Sequence, residues 1–282
     1  MDRVKLAENI YYLGYNDRRT RLFENLWPLP YGVSYNSYLA DDRKVALIDT
    51  VERRYIDDYL CDVEEILQGR QVDYLIINHM EPDHSGALQA VVSRYPEITL
   101  VGNKKTFGLV ESFYMKPERM LEVHDASVLD LGKTKLQFWT VPMVHWPETM
   151  VTYDETHRIL FSGDAFGSFG TLDGGVFDDE LNLVYYEEEV MRYFTNIVGK
   201  YCPHTQRAIK KLEPLDIRMI AATHGPVWRT NLDWILDRYN KWSTYTTDPG
   251  AVVVYGSMYG STQKMAEVIA RQLSIRGIRD IR

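Results

Sequence analysis

Residues 78–87 read NHMEPDHSGA, so His79, Glu81, Asp83 and His84 crowd together directly behind the apolar run VDYLII, residues 72–77. Four potential metal ligands within six positions, at the end of a short β-rich strand, predict a metal site built where a buried strand runs out. His79, Glu81 and Asp83 alternate, so an extended segment carries them on one side, while Pro82 disfavours helix and holds the loop open. His84 begins the next turn.

Three further candidates end later apolar runs: His145 in VPMVHWPETM, Asp164 in ILFSGDAF and His224 in MIAATHGP. Taken singly, each reads equally well as a capped strand end or a hydrogen-bonded core polar group. Together with the first four they are seven N and O donors, a set that suits two metals sharing one bridging carboxylate. A zinc hydrolase motif would carry a further histidine where Glu81 stands. The glutamate adds negative charge and a hard oxygen donor, and with Asp83 and Asp164 makes three carboxylates, which favours iron that must reach the ferric state. Zinc stays open, because affinity alone lets it displace ferrous iron from such sites.

Around these ligands the chain alternates strand-like and helical blocks. NIYYLGY, SYNSYLADDRKVALIDT, VDYLIINH and ITLVG read as strands, as do TKLQFWTVPMVH and the TMVTYDETHRILFSGD hairpin. Helical spacing marks YIDDYLCDVEEILQGR with Gly69 as a stop, HSGALQAVVSRYP, KTFGLVESFYM, the stretch from about Leu181 to Leu212, and NLDWILDRYNKW. The interleaving predicts two sheets covered outside by helices, an α/β sandwich. STYTTDPG then reads as a linker, and AVVVYGSMYGSTQKMAEVIARQL starts a different unit.

The 282 residues are 45% hydrophobic and 26% charged, as expected of a folded protein of one large domain or two smaller ones. A formal net charge of −8 without a long Lys/Arg run excludes the footprint of a nucleic-acid binder. Two cysteines are too few for a disulfide framework, a thiolate zinc site or an iron–sulfur cluster, and suit a reducing cytoplasm. The N-terminus lacks the pattern of a secretory signal, and no segment approaches the roughly 20 apolar residues that span a bilayer. No membrane association is expected.

The order His-x-Glu-x-Asp-His, then His, Asp and His, over about the first 245 residues, resembles the metallo-β-lactamase fold as flavodiiron proteins carry it. HMEPDHSGAL, VHWPETM, FSGDAFG and ATHGPVWR resemble that family's signatures in the same order. The resemblance implies an αββα sandwich over residues 1–245, with one iron on His79, Glu81 and His145, the other on Asp83, His84 and His224, and Asp164 bridging. Trp146 and Tyr193 are candidates for the pocket wall, or equally for core packing. His124, His157 in its hairpin turn and His204 in a loop beside Pro203 are expected at the surface.

After a linker over residues 246–250, a strand, a loop of Ser257, Met258, Tyr259, Gly260, Ser261 and Thr262, and a helix follow. Small and hydroxyl residues at a helix N-terminus suit a phosphate, and an ordinary capped turn reads the same way. The segment over residues 251–282 resembles the phosphate loop of flavodoxins, which implies FMN. The chain departs from the family pattern in lacking most of a flavodoxin domain. A fragment, a natural truncation or a short tail docked elsewhere are the three explanations, and sequence does not choose among them.

The resemblance implies reduction of dioxygen to water, or of nitric oxide to nitrous oxide, with electrons passing through FMN from rubredoxin or a similar donor. It also implies a head-to-tail homodimer or larger homo-oligomer. A binuclear zinc hydrolase on the same fold is the alternative, and a non-catalytic scaffold is a third reading.

Overall fold

The computed structural model describes residues 3–282. The chain divides into one compact unit up to Thr244 and a second over Tyr245–Arg282. In the first, β1 (Lys5–Ala7) and β2 (Ile10–Asp17) are followed by a small hairpin of β3 (Leu22–Phe23) and β4 (Trp27–Pro28), then by β5 (Val33–Asp41) and β6 (Val45–Ile48). Helix α1 (Ile56–Leu67) leads to β7 (Tyr74–Ile76). The short α2 (Pro82–Ser85) and α3 (Leu88–Arg94) lead to β8 (Thr99–Gly102), and α4 (Lys104–Phe113) to β9 (Met120–Glu122).

These strands form a sheet of order β1-β2-β5-β6-β7-β8-β9. Hairpin links make it antiparallel as far as β6, and helical crossovers make it parallel from β6 to β9. The second sheet contains β10 (Val128–Asp130), β11 (Lys135–Thr140), β12 (Met150–Asp154) and β13 (Ile159–Gly163). Helices α5 (Leu183–Tyr193) and α6 (Cys202–Leu212) then lead to β14 (Met219–Ala222), β15 (Val227–Trp228) and α7 (Leu232–Ser243). The long crossover through α5 and α6 is why β13 and β14 pair in parallel.

Residue parity explains the layers. Tyr38, Ala40, Ala46, Ile48 and Ile76 of the first sheet share a core with Leu136, Phe138, Met150, Ile159 and Phe161 of the second. Their odd-numbered neighbours Leu39, Val45, Leu47 and Leu75 turn to the other face and join Tyr59 and Val63 of α1 and Val91 of α3. On the second sheet Val151, Leu160 and Ile220 likewise join Leu212 of α6 and Ile235 of α7. Side chains alternate with a period of two, so strands buried on both faces read as continuous apolar runs. The αββα sandwich expected from the interleaved pattern is what forms.

Two local expectations in the first unit need correction. Pro82 does not keep residues 79–83 extended: it is the first residue of α2, where a fixed φ and a missing N–H suit the opening turn. Asp83 and His84 therefore project from a helical turn. His204 lies within α6 rather than in a loop, because Pro203 likewise occupies a helix start. The helical stretch expected from about Leu181 to Leu212 forms, with a π-helical turn at Phe194–Val198 and a 3₁₀ turn at Gly199–Tyr201 between α5 and α6.

Asp178 had no sequence signal. Its buried carboxylate accepts from the N–H groups of Arg229 (2.8 Å), Thr230 (3.2 Å) and Asn231 (2.7 Å) and from Asn231 Nδ2 (2.8 Å), fixing the entrance to α7. Asp178→Ala leaves these donors unpaired and is expected to lower stability by about 2 kcal/mol. Urea unfolding of the two proteins measures the difference.

In the second unit, β16 (Gly250–Ala251) pairs in parallel with β17 (Asp280–Ile281), and α8 (Ser261–Ile275) connects them. The apolar run from Ala251 to Tyr255 was expected to be a full strand, but it pairs over only two residues. The short β17 offers no longer partner, and Val252, Val254 and Tyr255 stay exposed. Among the described residues no helix is long and apolar enough to cross a membrane.

Candidate metal centre

The centre lies beyond the ends of β6, β7, β13 and β14. Asp49, directly after β6, adopts a left-handed φ of 54° that aspartate tolerates better than most residues. Its buried carboxylate accepts from Asn78 N (2.8 Å), Asn78 Nδ2 (3.0 Å) and His79 N (3.3 Å), which pins the loop after β7. Thr50 donates to His84 O through its N–H (2.8 Å) and Oγ1 (2.7 Å), fixing the turn that carries Asp83 and His84.

Four donors converge first: His79, Glu81, His145 and Asp164 place ligand atoms within 4.8 Å of one another, all on buried residues. His145 Nε2 lies 3.0 Å from Glu81 Oε2 and 2.9 Å from Asp164 Oδ2, while His79 Nε2 is 3.2 Å and 3.6 Å from the same two oxygens. Asp83, His84 and His224 form a second cluster. There His84 Nε2 is 2.8 Å and His224 Nε2 3.8 Å from Asp164 Oδ1, and they sit 3.4 Å and 3.3 Å from the Asp83 oxygens. Asp164 thus turns Oδ2 to one cluster and Oδ1 to the other.

Partners behind the ligands set which nitrogen faces inward. His79 Nδ1 donates to Glu148 Oε1 at 2.8 Å, and His224 Nδ1 to the Ser34 carbonyl at 2.7 Å, so both Nε2 lone pairs point into the centre. Thr223 Oγ1 donates to Asp164 Oδ1 at 2.7 Å. Both Asp83 oxygens, both His84 nitrogens and His224 Nε2 are buried without a hydrogen-bond partner. Buried polar atoms are almost always paired, so close N···O approaches lacking hydrogen-bond geometry mark donors aimed at a common cation.

Electrostatics agree. Burial alone would lower His84 and His145, but the carboxylates outweigh it, Asp83 and Asp164 for His84, Asp164 and Glu81 for His145, and push both up to about 9. Burial would raise Glu81 and Asp164, yet the imidazoles hold both below the usual carboxylate range. The raised histidines stabilise the metal-free fold fully below their ordinary value of 6.5, and that stability is lost as pH rises through about 9. The depressed carboxylates stabilise it above their ordinary range and lose that effect in acid. The metal-free protein is therefore expected to melt at its highest temperature between about pH 4.5 and 6.5 and progressively lower toward pH 9. Thermal scans after chelation check this, and a melting temperature constant from neutral pH to pH 9 would contradict it.

The wall is aromatic. Trp146 sets its ring edge-on to His79 at 5.1 Å, and Phe23 of the small hairpin does the same to His224 at 5.3 Å. Tyr193 is fully buried, packs on His224 at 5.5 Å between ring centres, and has a hydroxyl without a partner. Glu24, in the turn between β3 and β4, meets the Glu81 carboxylate, a contact that together with burial pushes it up to about 8. Burial, Asp164 and Tyr239 in turn raise the Tyr193 phenol well above its ordinary value.

All seven residues read from the sequence as ligands thus come together, with Trp146 and Tyr193 beside them. Ser257, Met258, Tyr259, Gly260, Ser261 and Thr262 lie in the second unit. Gly260, at φ +83°, caps α8, and the other five are exposed. His124 is exposed, and His157 is half-buried with Nδ1 2.6 Å from the buried Asp154 Oδ2. Asp49, Glu148, Thr223, Ser34 and Glu24 escaped the sequence reading. A carboxylate at a buried strand end, as in LIDT, was the available clue to Asp49; nothing local marks Ser34 or Glu24.

The sequence profile described as ODP family beta lactamase matches residues 33–225. An uncharacterised protein of Methanocaldococcus jannaschii is 34% identical over 276 residues, 98% of this chain and 69% of its own length. The rubredoxin-oxygen oxidoreductase of Megalodesulfovibrio gigas is 30% identical over 98% of this chain and 70% of its own. The anaerobic nitric oxide reductase flavorubredoxin of Vibrio vulnificus is 31% identical over 99% of this chain but only 56% of its own length. The crystal structure of the flavodiiron protein from Giardia intestinalis superposes with a TM-score of 0.94 at 27% identity, covering 100% of this chain and 69% of that one.

Proposed function

The chain belongs to the flavodiiron family of β-lactamase-fold proteins, and on that premise we propose that it reduces dioxygen to water, nitric oxide to nitrous oxide, or both. The observation that carries the reading is Asp164, whose two oxygens face two separate ligand clusters, one of them containing Glu81. His79, Glu81 and His145 would hold one iron, Asp83, His84 and His224 the other, with Asp164 between them. Two irons held this way would supply the electrons that reduce the gas.

The protein's own groups orient and protect that chemistry. Glu148 and the Ser34 carbonyl keep His79 and His224 in the tautomer that presents Nε2, and Thr223 fixes the rotation of Asp164. The Tyr193 hydroxyl, buried beside His224 without a hydrogen-bond partner, would be available to donate to a reacting oxygen atom. Trp146 and Phe23 keep bulk water from two of the imidazoles.

Residues 1–245 constitute the diiron domain in this reading, 246–250 the linker, and 251–282 a flavodoxin-like segment whose loop Ser257–Thr262 would face the FMN phosphate. FMN held there would take electrons from rubredoxin or a similar donor, and a head-to-tail homodimer would be the assembly this reading implies. A cytoplasmic setting suits Cys61 and Cys202, both unpaired.

Metal and flavin analysis of the purified chain tests the reading together with a single turnover. Two irons are expected, and the anaerobically reduced protein is expected to consume one of the gases. A stoichiometric zinc pair with esterase activity would replace this reading by a hydrolase. Glu81→His is expected to shift metal content from iron toward zinc, and retention of two irons with full gas reduction would refute the role given to that glutamate.

A further inference from the structure

Between the second sheet and helices α6 and α7 lies a cavity of about 470 Å³. Its outer rim carries the exposed Lys210, Glu213 and Asn240, so it opens to solvent on that side. Its inner wall is apolar and buried: Val144, Val151, Leu160, Ala165, Phe166 and Ile220. The polar groups that reach it are engaged elsewhere. Tyr239 OH accepts from Phe166 N at 2.6 Å, and Thr205 Oγ1 donates to the Tyr201 carbonyl at 3.3 Å. The buried inner end, walled by apolar side chains, favours small apolar molecules over water.

Where the wall ends decides what the cavity is for. Val144 directly precedes His145, and Ala165 and Phe166 directly follow Asp164. The turn from Asp164 to Gly167 closes with a Gly167 N–H to Asp164 carbonyl bond of 3.1 Å. At Gly167 the ring of Tyr193, which packs on His224, comes within 3.0 Å of where a Cβ would stand. One turn of main chain, with alanine as one of its side chains, therefore separates cavity from centre. Tyr239, which lines the cavity, is tied to this turn by the bond from Phe166 N, two residues after Asp164.

We propose that this cavity is the access route and holding volume for the diatomic gas that the centre reduces. The inference rests on the functional reading above and adds to it the path of the substrate. Dioxygen and nitric oxide are small and weakly polar and partition from water into apolar volume, so a cavity that reaches solvent at one end and the ligand turn at the other raises their local concentration. Charged or bulky solutes gain nothing there.

Two measurements test it. Under xenon pressure, crystals of the protein are expected to show xenon against Val151, Leu160 and Ile220; absence of xenon from the cavity overturns the proposal. Ala208, on α6 and in the lining, projects into the space far from any ligand in sequence. Ala208→Phe, confirmed as folded by thermal unfolding and as iron-loaded by metal analysis, is expected to slow second-order nitric oxide binding to the reduced protein by about tenfold. The rate at saturating gas is expected to stay unchanged, because the centre itself is untouched. An unaltered second-order rate in the variant overturns the access route while leaving the functional reading in place. Failure of the unaltered, iron-loaded protein to react with either gas overturns the functional reading, and the route falls with it.

Discussion

Asp164→Ala is expected to abolish metal binding at both clusters rather than at one. Each of its oxygens is the carboxylate partner of a different imidazole pair: His79 and His145 on Oδ2, His84 and His224 on Oδ1. Without it, the inward-facing Nε2 atoms of His84 and His224 keep only Asp83 as a nearby carboxylate, and those of His79 and His145 keep only Glu81. Loss of an outer partner alone typically lowers metal affinity about 10–100-fold, and loss of a shared ligand is expected to exceed that. Metal analysis after desalting should find both positions depleted together. Asp164→Asn separates coordination from folding, because the amide oxygen can still accept from Thr223 Oγ1 while the bridging charge is gone. One metal retained at full occupancy in either variant would show that Asp164 serves a single ion.

Asp49→Ala is expected to be the most destabilising single change near the centre. The carboxylate is 3% exposed and collects three donors, two of them main-chain N–H groups of Asn78 and His79. Removing it strands all three in a buried loop, and each unpaired donor costs about 1–3 kcal/mol, so a loss of at least about 3 kcal/mol follows. Urea unfolding of the metal-free protein should shift in midpoint with little change in slope. Because His79 hangs from this loop, metal affinity should fall in parallel. Burial also raises Asp49 in the metal-free protein, to about 6. A carboxylate raised in the folded state makes folding less favourable as pH rises from its ordinary value of 3.8 through about 6, and that part of the pH dependence should vanish in the alanine variant. An unchanged midpoint would mean that the loop is held by its covalent neighbours instead.

These residues show where reading from sequence stops. His79, Glu81, Asp83 and His84 were legible because four donors in six positions have few structural reasons to cluster. His145, Asp164 and His224 were legible because each ends an apolar run. Glu148 stands three positions from His145, yet its role depends on β12 bringing it under His79, a residue 69 positions away. Ser34 acts through its carbonyl, which every residue type possesses, and so leaves no mark on the sequence. Pro82 and Pro203 were misread for a related reason: proline breaks a helix interior but opens a helix, and which applies depends on where the first turn can pack.

By itself the amino-acid sequence marked the layers and the seven candidate donors, three of them carboxylates, because alternation of apolar residues and the chemistry of donor atoms are local properties. Only the tertiary structure decided that Asp164 lies between two clusters, that His79 and His224 present Nε2, and that an apolar cavity ends one turn behind the centre. Each of these is a relation among strands distant in the chain, settled by packing and hydrogen-bond satisfaction.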